Sequence, residues 1–153
     1  MTTAGTSGAE PVDTKRMPTA EEWNARGAEN LPGLIGIVFE KVGPAEVVAR
    51  VAIRKALMAP NGYLHAGTVV TLADTCCGYG TIAALPEGAR GFTTIELKSN
   101  FLGSAWEGAI VCVARPLHLG RSTQVWDAIV TPEGSDKPIA QFRCTQMVLW
   151  PKA

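Results

Sequence analysis

From Thr68 to Ala84 the chain runs apolar or small for seventeen residues, and between His65 and Glu87 it holds a single Asp, Glu, Lys, Arg or His, which is Asp74. A helix that is apolar on nearly every side has to be enclosed by the rest of its protein. The β-branched residues of the segment and its two glycines, Gly78 and Gly80, weigh against a helix, but its length favours helix over strand. Leu85-Pro86-Glu87-Gly88 ends it. The remaining elements must therefore wrap one central helix.

The flanking sequence supplies strands. Thr19 followed three residues later by Glu22 is a capping box, which predicts a short helix to about Glu29, stopped by Leu31-Pro32-Gly33. Residues 36–42 and 46–54 read as two paired strands around the turn Gly43-Pro44. Residues 59–67 read as a loop with Pro60-Asn61-Gly62 as its turn signal. After the helix, residues 92–102, 109–118, 123–131 and 139–149 are extended, and the short turns between them make them antiparallel. The expected class is α+β, with a curved antiparallel sheet of about six strands around the helix.

Composition narrows the partners. A chain of 153 residues that is 46% hydrophobic suits one domain with a proper core. Fourteen basic residues balance fourteen acidic ones, which argues against a nucleic-acid or anionic-membrane binder that relies on bulk charge. No apolar run is long enough to span a membrane. Residues 1–17 are small and polar and lack the apolar middle of a signal peptide, so the expectation is a loose tail, a domain over 18–153 and a cytoplasmic location. Cys76, Cys77, Cys112 and Cys144 have neither a disulfide pattern nor a zinc spacing, and with only His65 and His118 beside them no metal site is expected.

Asp74 is the first candidate for chemistry. A helical Asp ordinarily faces solvent or bonds a nearby backbone group. Here its neighbours Val70, Leu72, Ala73 and Cys77 favour a functional carboxylate with a raised pKa. The second candidate is the turn Asn61-Gly62-Tyr63-Leu64-His65-Ala66-Gly67. Backbone N–H groups at a helix N-terminus face negative charge and suit an oxyanion. Spacing alone favours a plain glycine-rich turn with His65 as a local cap. From Gly67 to Asp74 is seven residues, about 10 Å along a helix, so the two candidates share one site only if antiparallel helices of two subunits meet.

His65-Ala66-Gly67 with Asp74 nine residues after the His resembles the hotdog-fold acyl-CoA thioesterases, in particular the phenylacetate-degradation type. Residues 93–102, 118–122 and 139–145 are similar to later strands and a turn of that family, and the likeness covers about residues 33–150. It implies hydrolysis of an acyl-CoA thioester, with Asp74 as general base or nucleophile. The Ala66 N–H would polarise the carbonyl, with Gly67 keeping the turn open, His65 orienting it and Thr94 near the attacking water. Asn61, Gly78, Phe101, His118, Gly120, Arg121 and Ser122 would line the substrate, Arg121 being suited to the phosphates of coenzyme A. A homodimer or homotetramer is implied, with no cofactor beyond the coenzyme A of the substrate. This chain has His-Ala-Gly where many members have His-Gly-Gly, and Ala59 where many carry an Asn six residues before the His.

Other signals are weaker. Gly78-Tyr79-Gly80 lies late in the helix, where it suits close packing or room for an acyl chain rather than a dinucleotide. No Gly-x-Ser-x-Gly elbow is present, and the cysteines read as inert packing. Trp23, Trp106, Trp126 and Trp150 read as core or interface fillers, and Lys98 and Arg143 as solvated faces. An acyl-CoA-binding protein without catalysis is the alternative, favoured by Ala59. A hydratase would pair its carboxylate with a catalytic His, and five residues past Asp74 stands Tyr79.

Overall fold

The computed structural model describes residues 16–152. The tail expected over 1–17 lies outside them except for its last two residues. Thr19 closes the capping box: its hydroxyl accepts from the Glu22 N–H, and the Glu22 carboxylate accepts from the Thr19 N–H at 2.7 Å. Helix α1 (Ala20–Arg26) follows. Asn24 ties it to strand β1 (Ile37–Val42), accepting from the Phe39 N–H at 2.8 Å and donating to the Phe39 carbonyl at 3.1 Å.

Pro32, expected as a stop, instead sits in the first turn of a second short helix, α2 (Leu31–Ile35). The first turn of a helix tolerates proline because its N–H would have no partner there. Strand β2 (Val47–Ala52) pairs with β1, and a single 3-10 turn (Lys55–Leu57) leads into the loop before α3 (Ala66–Ala83). Four strands follow: β3 (Gly91–Phe101), β4 (Ala109–Leu119), β5 (Thr123–Pro132) and β6 (Ala140–Leu149).

The six strands form one antiparallel sheet in the order β1-β2-β4-β5-β6-β3. Helix α3 carries the chain across the sheet, so that β3 becomes the far edge and β4 returns beside β2. Alternation along the strands sends Ala49, Cys112, Trp126 and Cys144 toward α3, and all four are buried. Leu72, Ala73, Cys76 and Cys77 meet them from the helix. The packing is close enough that a Cβ on Gly80 would lie 2.5 Å from the Trp126 ring. Tyr79 stacks on Phe39 with ring centroids 4.5 Å apart, which seats α3 against β1.

All four cysteines are buried thiols. Burial first, and then the neighbouring Cys112 thiol, pushes Cys76 well above the usual thiol range. Cys77 is raised by its contact with Cys144 and by burial. Protonated, enclosed thiols are packing groups rather than nucleophiles. Among the described residues, no helix is long and apolar enough to cross a membrane.

Candidate functional site

The turn before α3 is built by the backbone. The His65 N–H donates to the Leu57 carbonyl, Ala59 N–H to the Tyr63 carbonyl, and Leu64 bridges Met58. Asn61 closes an Asx turn, its side-chain oxygen accepting from the Tyr63 N–H at 3.3 Å. His65 is the N-cap, its Nδ1 accepting from the Gly67 N–H at 2.8 Å. Residue 67 has to be glycine for this, because a Cβ there would stand 2.9 Å from that Nδ1. The local-cap reading of His65 is therefore met. The cap also leaves the Ala66 N–H, at the first helical position, with no acceptor among the described residues.

Asp74 lies two turns further along α3, roughly 12 Å from Ala66 by helical rise. It shares a helix face with Gly67, Val70, Thr71 and Thr75, the side of α3 that the sheet leaves half covered. The Thr71 hydroxyl donates to the Gly67 carbonyl at 2.7 Å and the Thr75 hydroxyl to the Thr71 carbonyl at 2.6 Å. Neither reaches the carboxylate, and the Asp74 Oδ1 is buried without a hydrogen-bond partner among the described residues. Burial alone raises the Asp74 carboxyl above the usual carboxylate pKa. Gly78, one turn beyond Asp74 on the same helix, is buried against the Phe92 ring, which lies 3.2 Å from where a Cβ would stand.

Thr94 and Phe101 lie on the edge strand β3. Both are exposed, and both sit opposite inward-facing residues of β6, Gln146 and Ala140. Gly120, Arg121 and Ser122 form the turn between β4 and β5, and His118 pairs with Val125 at the end of β4 just before it. The turn is closed by Gly120 N–H to the Thr123 carbonyl at 2.9 Å and tied to β6 by Val148 N–H to the Ser122 carbonyl. The His118 imidazole folds over Gly120, where a Cβ would meet its Nε2 at 2.5 Å. This turn belongs to the C-terminal end of α3, because Gln124 at the start of β5 donates to the Ala84 carbonyl at 2.9 Å. The sequence-predicted residues thus fall into two groups at opposite ends of a helix roughly 27 Å long, with Asp74 between them.

Sequence reasoning passed over Gln124 and Gln146, which pair across β5 and β6 and are fully buried on the helix side. Their inward alternation with Trp126, Cys144 and Val148 was the available signal. Arg143 grips Asp127 at 2.5 and 2.6 Å on the opposite face, beside Lys98, in a cleft of about 320 Å³. That cleft lies across the sheet from Asp74. Among the described residues, no three His, Cys, Asp or Glu side chains are grouped to hold a metal ion.

A six-stranded antiparallel sheet curled around one long buried helix is a hotdog fold. The chain belongs to the Thioesterase superfamily, whose pattern matches residues 61–139. It is 35% identical to 1,4-dihydroxy-2-naphthoyl-CoA hydrolase of Escherichia coli over 78% of this chain and 87% of that protein. A protein of the same name from Listeria monocytogenes is 32% identical over 72% of this chain and 89% of the relative. Among solved structures, a mutant thioesterase from Pseudomonas aeruginosa superposes with a TM-score of 0.82 at 29% identity, covering 88% of this chain and 96% of that one.

Proposed function

We propose that the protein hydrolyses acyl-CoA thioesters to a free acid and coenzyme A. The observation that carries this reading is Asp74, whose carboxylate is half-buried on an apolar helix with one oxygen unpartnered. A carboxylate in that state accepts a proton from water more readily than a solvated one, and burying it unpaired costs stability rather than adding to it. As general base it draws a proton from water as the oxygen attacks the thioester carbon. As nucleophile it forms an acyl anhydride that water then opens. In both routes the carbonyl oxygen gains charge against the Ala66 N–H, and the thiolate of coenzyme A leaves. Thr94 stands near the water.

Asp74 and Ala66 are too far apart on one helix to act on one carbonyl, so the Asp74 of one subunit serves the turn of its partner across antiparallel helices. The active form is a homodimer, alone or paired into a homotetramer. The separation between the α3 turn and the His118–Ser122 turn suits a long substrate with its reacting carbonyl at one end and its phosphates, on Arg121, at the other. The naphthoyl-CoA substrate named for the two relatives supports an aromatic acyl group, as does the likeness to the phenylacetate-degradation type. No metal or redox cofactor enters, and the cytoplasm is where this substrate would be met.

The test is hydrolysis of phenylacetyl-CoA, a hydroxybenzoyl-CoA and short to long fatty acyl-CoAs by wild type and Asp74→Asn, followed by thioester absorbance. Turnover of aromatic substrates, with a fall of about a hundredfold or more in the variant, is expected. Coenzyme A thioesters that bind without turnover would establish a binding protein instead, and the residue to explain would then be Ala59.

A further inference from the structure

Strand β6 ends at Leu149, and Trp150 turns back onto the loop between β4 and β5. Its indole N–H donates to the Arg121 carbonyl at 3.2 Å. Its ring lies 4.6 Å from the guanidinium carbon of the same residue. One side chain thus holds both ends of Arg121, the backbone through a hydrogen bond and the head group through a cation–π contact. The backbone leading into Trp150 is fixed, the Arg90 N–H donating to the Leu149 carbonyl at 2.8 Å, and Gly88 leaves open space beside the indole, where an added Cβ would stand 3.6 Å from the ring. Arg121 is exposed and enters no ion pair among the described residues. An arginine stacked on an aromatic face keeps its N–H fork directed outward for an anion.

We propose that Trp150 is the positioning residue of an anion-binding Arg121, setting affinity for the phosphate-bearing end of the substrate without touching it. This rests on the reading of the β4–β5 turn as the seat of the coenzyme A phosphates. The ligand class is a phosphorylated nucleotide arm. A loop arginine without such a support loses side-chain entropy on binding, and the stack removes much of that cost in advance.

The experiment measures coenzyme A binding by titration calorimetry for wild type, Arg121→Ala, Trp150→Leu, Trp150→Phe and the Arg121/Trp150 double variant. KM and kcat are measured beside it for an acyl-CoA and for the same acyl thioester of pantetheine, which lacks every phosphate. Trp150→Leu is expected to weaken coenzyme A roughly threefold to tenfold. It should raise KM for the acyl-CoA at constant kcat and leave the pantetheine thioester unchanged. Trp150→Phe, which keeps the stack and loses the donor, should fall between. The double variant should be no weaker than Arg121→Ala, because the tryptophan acts through the arginine. Equal losses on both thioesters would reduce Trp150 to a structural role, and losses that add in the double variant would do the same. A defect in Arg121→Ala with none in Trp150→Leu would overturn the positioning role alone. Wild-type affinity in Arg121→Ala would overturn the phosphate seat and the inference together. Should Trp150→Leu fail to fold, Trp150→Phe and its double variant carry the same comparison.

Discussion

If Asp74 serves hydrolysis as proposed, it makes opposite demands on activity and stability. Its carboxyl is held above the ordinary carboxylate pKa by burial. Below the ordinary value the folded and unfolded chains are both protonated there, and nothing differs. As the pH rises, the unfolded chain ionises first, so stability falls through the window between the ordinary pKa and the raised one. Asp74→Asn removes that loss. Its melting temperature should match wild type near pH 3 and exceed it by roughly a few degrees at pH 7. Scanning calorimetry at the two pH values tests this, and a variant less stable at pH 7 would contradict it. The rate should move the other way, with an acid limb of kcat/KM above the usual carboxylate range. Asp74 was legible because no other charge stands near it in the sequence. Its lack of a partner was not, since Thr71 and Thr75 stand within reach and only the helix geometry shows both hydroxyls turned back onto the backbone.

At the scale of the element, the entrance to α3 allows a backbone donor to be removed without dismantling the helix. Ala66 is the first helical residue, where proline is favoured. His65 before it has φ −65° and ψ 132°, the extended conformation that a following proline demands. Ala66→Pro should therefore fold with a melting temperature near wild type, yet lose about a hundredfold or more in kcat, the scale of one oxyanion donor. Near-normal turnover in a folded variant would remove the Ala66 N–H from the mechanism. The elements themselves were largely legible. The strand boundaries fall within a residue or two of their alternation, because period-two patterning on a half-buried sheet leaves few registers. Helix α2 was missed because Pro32 carries the same letter as a stop and as a first-turn residue, and only the tertiary position of Ile35 in the core decides between them.

The whole molecule holds what the sequence shows least. Strand order is invisible in it: nothing in residues 91–101 says that they pair with β6 and become an edge. That edge is eleven residues long, and Ile95 and Leu97 upon it are 54% and 44% exposed. Leu97 sits opposite the buried Cys144, so it points to the helix side of the sheet and stays uncovered because α3 is packed further in. A long edge strand invites pairing, and proteins that remain monomeric guard such strands with charge or bulges; β3 carries Glu96 and Lys98 as well as a bulge, so the case for pairing rests on its exposed Ile95 and Leu97. Here the bulge between Thr94 and Glu96 leaves Ile95 outward rather than hidden. Two copies joined edge to edge would cover Leu97 and bring antiparallel α3 helices together, the arrangement that the proposed shared site requires. Leu97→Lys places a charge in that seam and should weaken association by about a hundredfold or more. Sedimentation should then find monomers at concentrations where wild type is expected to sediment as a dimer. Far-ultraviolet circular dichroism should stay unchanged, and turnover should fall in step with the dimer fraction. Full activity in a folded monomer would place the whole site within one chain and end the case for a shared one.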